Sequence, residues 1–225
     1  MRLNRLVAGV VTAGLAVAGP VLVSAPAHAA TVTTTTTISA MDTAYDYGDK
    51  IYISGKVTDP SGQSVYTSGS SATLQVSTPA TPAWTTIATE SGSGSFYFDS
   101  FKATSNAQYK VVYSGGTSGS GSAANTYTAS ESAPFSVTVA RTVSVKEKGL
   151  KIVGKIKPDY AKKKVKILQV LDKKGKKTKK FATLKTSKKS TFSFKAPGRR
   201  GFRFIAVIPG DAMNAGTTTL VYTVI

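Results

Sequence analysis

Leu150-Lys151-Ile152-Val153-Gly154-Lys155-Ile156-Lys157 sets the reading of this chain. Successive side chains of an extended strand point to opposite faces, so Leu150, Ile152 and Ile156 share one side while Lys151, Lys155 and Lys157 share the other. A period of two with one apolar and one charged side marks an antiparallel strand packed on one face and wet on the other. Thr191-Phe192-Ser193-Phe194-Lys195 repeats the pattern, with Phe192 and Phe194 inward and Ser193 and Lys195 outward. Ser95-Phe96-Tyr97-Phe98-Asp99 does so again, with Tyr97 and Asp99 outward.

These stretches belong to an internal duplication. Gly55-Lys56-Val57 is echoed by Gly154-Lys155-Ile156, and Leu74-Gln75-Val76 recurs as Leu168-Gln169-Val170. Ile87-Ala88-Thr89 answers Leu184-Lys185-Thr186, Phe96-Tyr97-Phe98 answers Phe192-Ser193-Phe194, and Tyr109-Lys110-Val111 answers Phe202-Arg203-Phe204. The offsets are 99, 94, 97, 96 and 93 residues, five anchors in one order at nearly one spacing. Two units follow, 30–140 and 141–225, meeting near Ala140-Arg141 with no flexible linker, so they are expected end to end with limited freedom.

Both units read as all-β. The first has candidate strands at 32–40, 50–57, 72–77, 84–89, 95–101, 107–114 and 133–139; the second has them at 142–148, 150–157, 164–171, 179–186, 191–195, 201–208 and 218–224. Seven short strands per unit, rich in Val, Ile, Thr, Phe and Tyr and punctuated by Gly, Pro, Asp and Ser, predict two tandem antiparallel β-sandwiches. Parity fails in one strand, since Val165 and Ile167 cannot share a face with Leu168 and Val170 without a bulge. Trp84, the only tryptophan, is assigned to the core, with an exposed sugar-stacking position as the rival reading. The Gly/Ser-rich stretch 115–124 is expected to be a mobile tip.

The Gly-Lys-Val or Gly-Lys-Ile strand, the Leu-Gln strand, the Phe-x-Phe strand, the aromatic-basic pairs Tyr109-Lys110 and Phe202-Arg203, and the turn Pro209-Gly210-Asp211 together resemble the immunoglobulin-like repeat domains of bacterial, especially actinobacterial, secreted and cell-surface proteins. The resemblance covers nearly all of the chain after residue 29. It implies an immunoglobulin-like sandwich, secretion, and a structural or binding role, and it brings no catalytic residues.

Residues 1–29 read as a cleaved signal peptide: a basic start, an apolar run from Leu6 to Val23 broken by Pro20, and the small-x-small site Ala27-His28-Ala29. Pro20 and that site weigh against a retained membrane anchor. After residue 29 the chain has no cysteine and no histidine. That removes His general-base chemistry, thiol nucleophiles and His or Cys metal sites. No Ser-x-x-Lys occurs and the eleven acids are scattered, so no enzyme and no cofactor are expected. Asp42, Asp46 and Asp49 lack the spacing of an EF-hand loop, and Gly48-Asp49 reads as a turn rather than a calcium site.

Charge separates the two units. Residues 30–140 carry four lysines and seven acids, whereas residues 141–225 carry nineteen lysines, four arginines and four acids. The predicted binding residues are the runs of the second unit: Lys162, Lys163 and Lys164; Lys173, Lys174, Lys176, Lys177, Lys179 and Lys180; Lys188 and Lys189; Arg199 and Arg200. Lysines that merely blunt strand edges would be far fewer, and a domain repelling itself this strongly implies a nearby counter-charge. Lysine acts as a point charge rather than a bidentate fork, which favours loose recognition of an acidic envelope polymer, an acidic glycan or an anionic membrane surface. Sequence-specific nucleic acid recognition is disfavoured, because the phenylalanines are needed in the core and no reading helix is present. The competing expectation is a carbohydrate-binding module using Trp84, Tyr66 and the loops of the first unit.

Overall fold

The computed structural model describes residues 29–40, 42–92, 94–121, 124–172, 174–198 and 202–223. Of the expected signal peptide, 1–29, residues 1–28 lie outside the described residues. Those described form strands and no α-helix: β1 Thr31–Val32, β2 Thr35–Ala40, β3 Ala44–Asp46, β4 Lys50–Thr58, β5 Ser71–Thr78, β6 Thr81–Ser91, β7 Ser95–Lys102, β8 Ala107–Tyr113, β9 Gly116–Ser118, β10 Asn125–Tyr127, β11 Ser130–Glu131 and β12 Phe135–Ala140, then β13 Thr142–Lys148, β14 Lys151–Lys157, β15 Lys164–Val170, β16 Thr178–Lys185, β17 Thr191–Lys195, β18 Arg203–Ile208 and β19 Thr217–Thr223.

In the first sandwich the sheet β2-β4-β7 packs on a larger sheet ordered β3-β12-β8-β5-β6, with β11 beside β8. In the second, β13-β14-β17 packs on β16-β15-β18-β19. Taking β2, β4, β5, β6, β7, β8 and β12 as counterparts of β13 to β19 in order gives one strand arrangement twice. Both are immunoglobulin-like antiparallel sandwiches. Each has its own core. Ile51, Ile53, Leu74, Phe96, Phe98, Val111 and Val139 anchor the first; Ile152, Ile156, Ile167, Phe192, Phe194, Phe204 and Ile208 anchor the second.

The repeated Gly-Lys and Phe-x-Phe anchors prove to be one packing device. Gly55 pairs across strands with Phe96, and Gly154 with Phe192. A Cβ on Gly154 would lie 2.2 Å from the Phe192 ring, and one on Gly55 would lie 2.4 Å from Phe96 and 2.1 Å from the Thr37 carbonyl oxygen. The missing side chain is what lets each ring fold down over its neighbour.

The Leu-Gln-Val anchors are not equivalent. Leu74 is fully buried opposite Val111, whereas Leu168 is half-buried opposite the half-buried Ile205. The β15–β16 register shifts between Ile167 and Leu168, and the extra residue is Phe181 on β16. β15 keeps its alternation against β18, so Val165 and Ile167 join the core while Leu168 and Val170 take the other face.

Two expectations need correction. The start of the 115–124 stretch is not simply a tip, because β9 (116–118) pairs with β10 and β10 pairs in parallel with β1, tying it to the start of the fold; residues 122–123 lie outside the described residues. Trp84 is not in the core. Thr85 pairs with the inward Val76, which turns Trp84 to the outer face, where it is half-buried.

The sandwiches meet through the 209–216 loop. The Asn106 N–H donates to the Met213 carbonyl (2.7 Å) and the Ala215 N–H to the Val139 carbonyl (2.8 Å). The Asn106 side chain joins both sides, donating from Nδ2 to the Ala212 carbonyl (3.0 Å) and accepting from the Val139 N–H (2.9 Å).

Candidate polyanion-binding surface

The predicted basic residues do not form one patch. Lys162, Lys163, Lys188 and Lys189 lie on the turns facing the first sandwich, because β14 and β16 end there and β15 and β17 begin there. The Lys163 N–H donates to Thr186 Oγ1 at 3.0 Å, which holds the two turns together. Lys174, Lys176 and Lys177 occupy the β15–β16 hairpin at the opposite end, where the Asp172 carboxylate accepts the Lys177 N–H at 3.0 Å. Lys164, Lys179 and Lys180 are on β15 and β16. All ten are exposed. Lys173, Arg199 and Arg200 lie outside the described residues.

Counter-charge within the domain is sparse. Among the described residues the ion pairs of the second sandwich are Arg141 Nη2 to Asp211 Oδ2 (2.7 Å) and Lys163 Nζ to the same oxygen (2.8 Å). The Arg141 side chain is 2% exposed and its Nε and Nη1 reach no acceptor among the described residues, so Asp211 and the Tyr160 ring at 4.9 Å are what offset its charge. Burial alone would raise the Asp211 pKa. Hydrogen bonds from Lys163, the Asn214 N–H and Arg141 outweigh it and hold the carboxyl at about 2. Lys163 is thus committed to the joint, and it is the one lysine of the predicted set with a carboxylate partner among the described residues.

Reading by runs of charge missed a second group of cations. Lys146 and Lys148 on β13, Lys151, Lys155 and Lys157 on β14, and Lys195 on β17 are all exposed on the outer side of one sheet. The signal was the strand parity of those segments. It shows which side each lysine takes, but not which strands lie together.

The first sandwich displays aromatics rather than cations. The Trp84 ring is covered on one face by Lys110, whose Nζ sits 4.8 Å from the ring centroid and 2.8 Å from Glu131 Oε2. Tyr66 is exposed. On the β2-β4-β7 sheet, Tyr97 stacks with Tyr52 at a 6.3 Å centroid separation. They stand beside an open groove lined by Thr37, Ser54, Ser95 and Glu90. Among the described residues no three His, Cys, Asp or Glu side chains converge as for a metal, and Asp46 and Asp49 close a turn in which the Asp46 N–H donates to Asp49 Oδ2 at 3.0 Å.

No family model matches this chain. No curated protein matches it either. Among solved structures it is similar to a two-domain fibronectin type-III segment of chicken tenascin, at 12% identity and a TM-score of 0.39, covering 83% of this chain and 97% of that one. It is also similar to the chicken interferon gamma receptor alpha chain, at 10% identity and a TM-score of 0.41, covering 84% of this chain and 98% of the receptor chain. A DUF4785 family protein from Legionella pneumophila gives 12% identity and a TM-score of 0.40 over 84% of this chain, which spans 54% of that protein. The assignment as immunoglobulin-like sandwiches rests on the strand order and the two cores.

Proposed function

We propose that this chain is a secreted, non-catalytic interaction protein whose second sandwich binds acidic polymers or surfaces of the cell envelope or its surroundings. The observation that carries the reading is the imbalance in residues 141–225, twenty-three cationic side chains against four acids, with a single lysine of the predicted set ion-paired among the described residues. Self-repulsion of that size disfavours the compact state in isolation and is relieved by an external polyanion. Secretion is supported by the basic, apolar and Ala-His-Ala sections of the first 29 residues. A non-catalytic role is supported by the lack of histidine and cysteine after residue 29. Fractionation of producing cells tests both location and attachment. The protein should sediment with the envelope at low salt and be released by washing at about 1 M salt, where the Debye length falls to about 3 Å. Retention that ignores salt overturns the reading.

The Tyr52–Tyr97 platform favours a second reading, a neutral carbohydrate site on the first sandwich. Tyr97 is 50% exposed, and the hydroxyls of Thr37, Ser54 and Ser95, the Glu90 carboxylate and the Lys56 ammonium line the groove beside it. An exposed ring with flanking hydrogen-bonding groups suits a sugar face. On that reading Tyr97→Ala abolishes retention on a neutral glycan array. An array that retains neither the parent protein nor the variant removes it.

A further inference from the structure

The register of the three-stranded sheet turns six scattered lysines into an ordered field. Lys148 pairs with Lys151, and Lys151 pairs on its other side with Lys195. Three like charges therefore stand in a row across three strands, at a spacing of about 4.8 Å per strand. Further along, Lys146 stands in the row of Val153 and Ser193, Lys155 lies between Ser144 and Thr191, and Lys157 pairs with Thr142. Those rows follow at about 6.7 Å, two residues of strand rise, so the field extends for about 20 Å from Lys151 to Lys157. No acid shares it. Glu147, the only carboxylate on these three strands, pairs with the buried Ile152 and so alternates to the other side.

Like charges directly opposite each other across a strand pair destabilise it. Nothing on the face relieves the row: its remaining side chains are hydroxyls and Val153, and among the described residues none of the six lysines has a carboxylate within ion-pair distance. The face is an open sheet surface, without an exposed aromatic for base stacking and without an arginine fork for bidentate carboxylates. Ammonium groups are compact point charges with three donors each and suit phosphate oxygens approached from any side. A bilayer would also need apolar side chains to insert, and those lie on the other sheet, where exposed Leu220 pairs with Ile205, itself opposite Leu168.

We infer that the outer face of β13-β14-β17 is the docking surface for one extended, hydrophilic, phosphate-bearing polymer, running along the strands over Lys148, Lys151, Lys195, Lys155 and Lys157. The inference rests on the polyanion-binding reading of this domain and assigns it a site and a ligand chemistry. The charge runs in the turns then add long-range attraction rather than the contact surface.

Long-chain inorganic polyphosphate is the probe, with both sandwiches present (residues 30–225). One variant carries Lys148→Gln, Lys151→Gln, Lys155→Gln and Lys195→Gln. A control of equal charge carries Lys174→Gln, Lys176→Gln, Lys177→Gln and Lys189→Gln. The parent protein should bind at low salt and melt at a higher temperature with polyphosphate present. The face variant should lose at least about tenfold in affinity, and its log K against log salt slope should become shallower by about 3, four contacts at about 0.7 each. The turn variant should keep most of the slope. The face variant's own melting temperature, no lower than the parent's, shows that it folds. Absence of any binding by the parent removes the polyanion reading and the site together. An equal or larger loss in the turn variant overturns the site and leaves the broader reading standing. Poly-glutamate binding as tight as polyphosphate at matched charge overturns the phosphate assignment. Phosphatidylglycerol vesicles bound without polyphosphate binding make a bilayer the partner, which also overturns it.

Discussion

At the scale of single residues, what holds each sandwich together is as much a missing side chain as a present one. Gly55 and Gly154 sit directly across from Phe96 and Phe192, and each ring occupies the space a Cβ would need. Gly154→Ala should destabilise the second sandwich by about 2 kcal/mol, the scale of an overpacked core position. Gly55→Ala should cost more, because its Cβ would also meet the Thr37 carbonyl oxygen, and backbone cannot swing aside as a ring can. Urea midpoints of the two variants check both the size and the order, and equal midpoints would remove the Thr37 argument. The recurrence of these glycines and phenylalanines was visible in the sequence as two separate anchors. Their union as one contact was not, because it depends on cross-strand register, which alternation alone leaves open. Trp84 shows the same limit from the other side. Hydrophobicity assigned it to the core, while the pairing of Thr85 with Val76 turned it outward beneath Lys110.

Among strands, alternation was a sound guide wherever a strand is long and two-faced. Phe96 and Phe98, Ile152 and Ile156, and Phe192 and Phe194 point inward as alternation predicts, while the parity conflict at 165–171 belongs to a strand with apolar residues on both faces: Val165 and Ile167 lie in the core, Leu168 and Val170 on the other side, and the bulge is on β16 at Phe181. Short strands escaped. β3, β9, β10 and β11 have two or three residues each and follow no readable period. They exist because a neighbour supplies hydrogen bonds, as β12 does for β3 and β1 for β10. The candidate site divides along the same line. The run 173–180 was conspicuous as sequence, but its described part, 174–180, folds into a hairpin end and an edge strand. The six lysines of β13, β14 and β17 are spaced by apolar residues and form no run, yet the sheet gathers them on one side. Charge density along a chain and charge density on a surface are different quantities when the period is two.

The whole molecule is shaped by a joint that neither unit contains alone. The turn Pro209-Gly210-Asp211 carries a carboxylate that holds Arg141, at the entry to the second sandwich, while its neighbours Ala212, Met213 and Ala215 bond to Asn106 and Val139 of the first. The sequence indicated a short connection with limited freedom but not this clamp, whose partners Asn106 and Met213 lie 107 residues apart. Its strength should depend on pH in a direction fixed by Asp211. That carboxyl is held at about 2 against an ordinary 3.8, so its contribution is present above the unfolded value and is lost as pH falls through about 2. Between about pH 4 and pH 2 the joint should loosen while both cores persist, since no carboxylate among the described residues is buried. Asp211→Asn should loosen it already at neutral pH. The cost should be about 2 kcal/mol, below the ~3–5 kcal/mol of a fully buried pair because the Asp211 side chain is 32% exposed, yet appreciable because Arg141 is left nearly uncompensated. Small-angle scattering across that pH range checks the claim. The parent protein should widen its spread of interdomain distances on acidification, and the variant should already have that spread at pH 7 and change little. A parent protein that keeps one distance distribution down to pH 2 would show that the backbone bonds of Asn106 and Ala215 hold the joint without the ion pair.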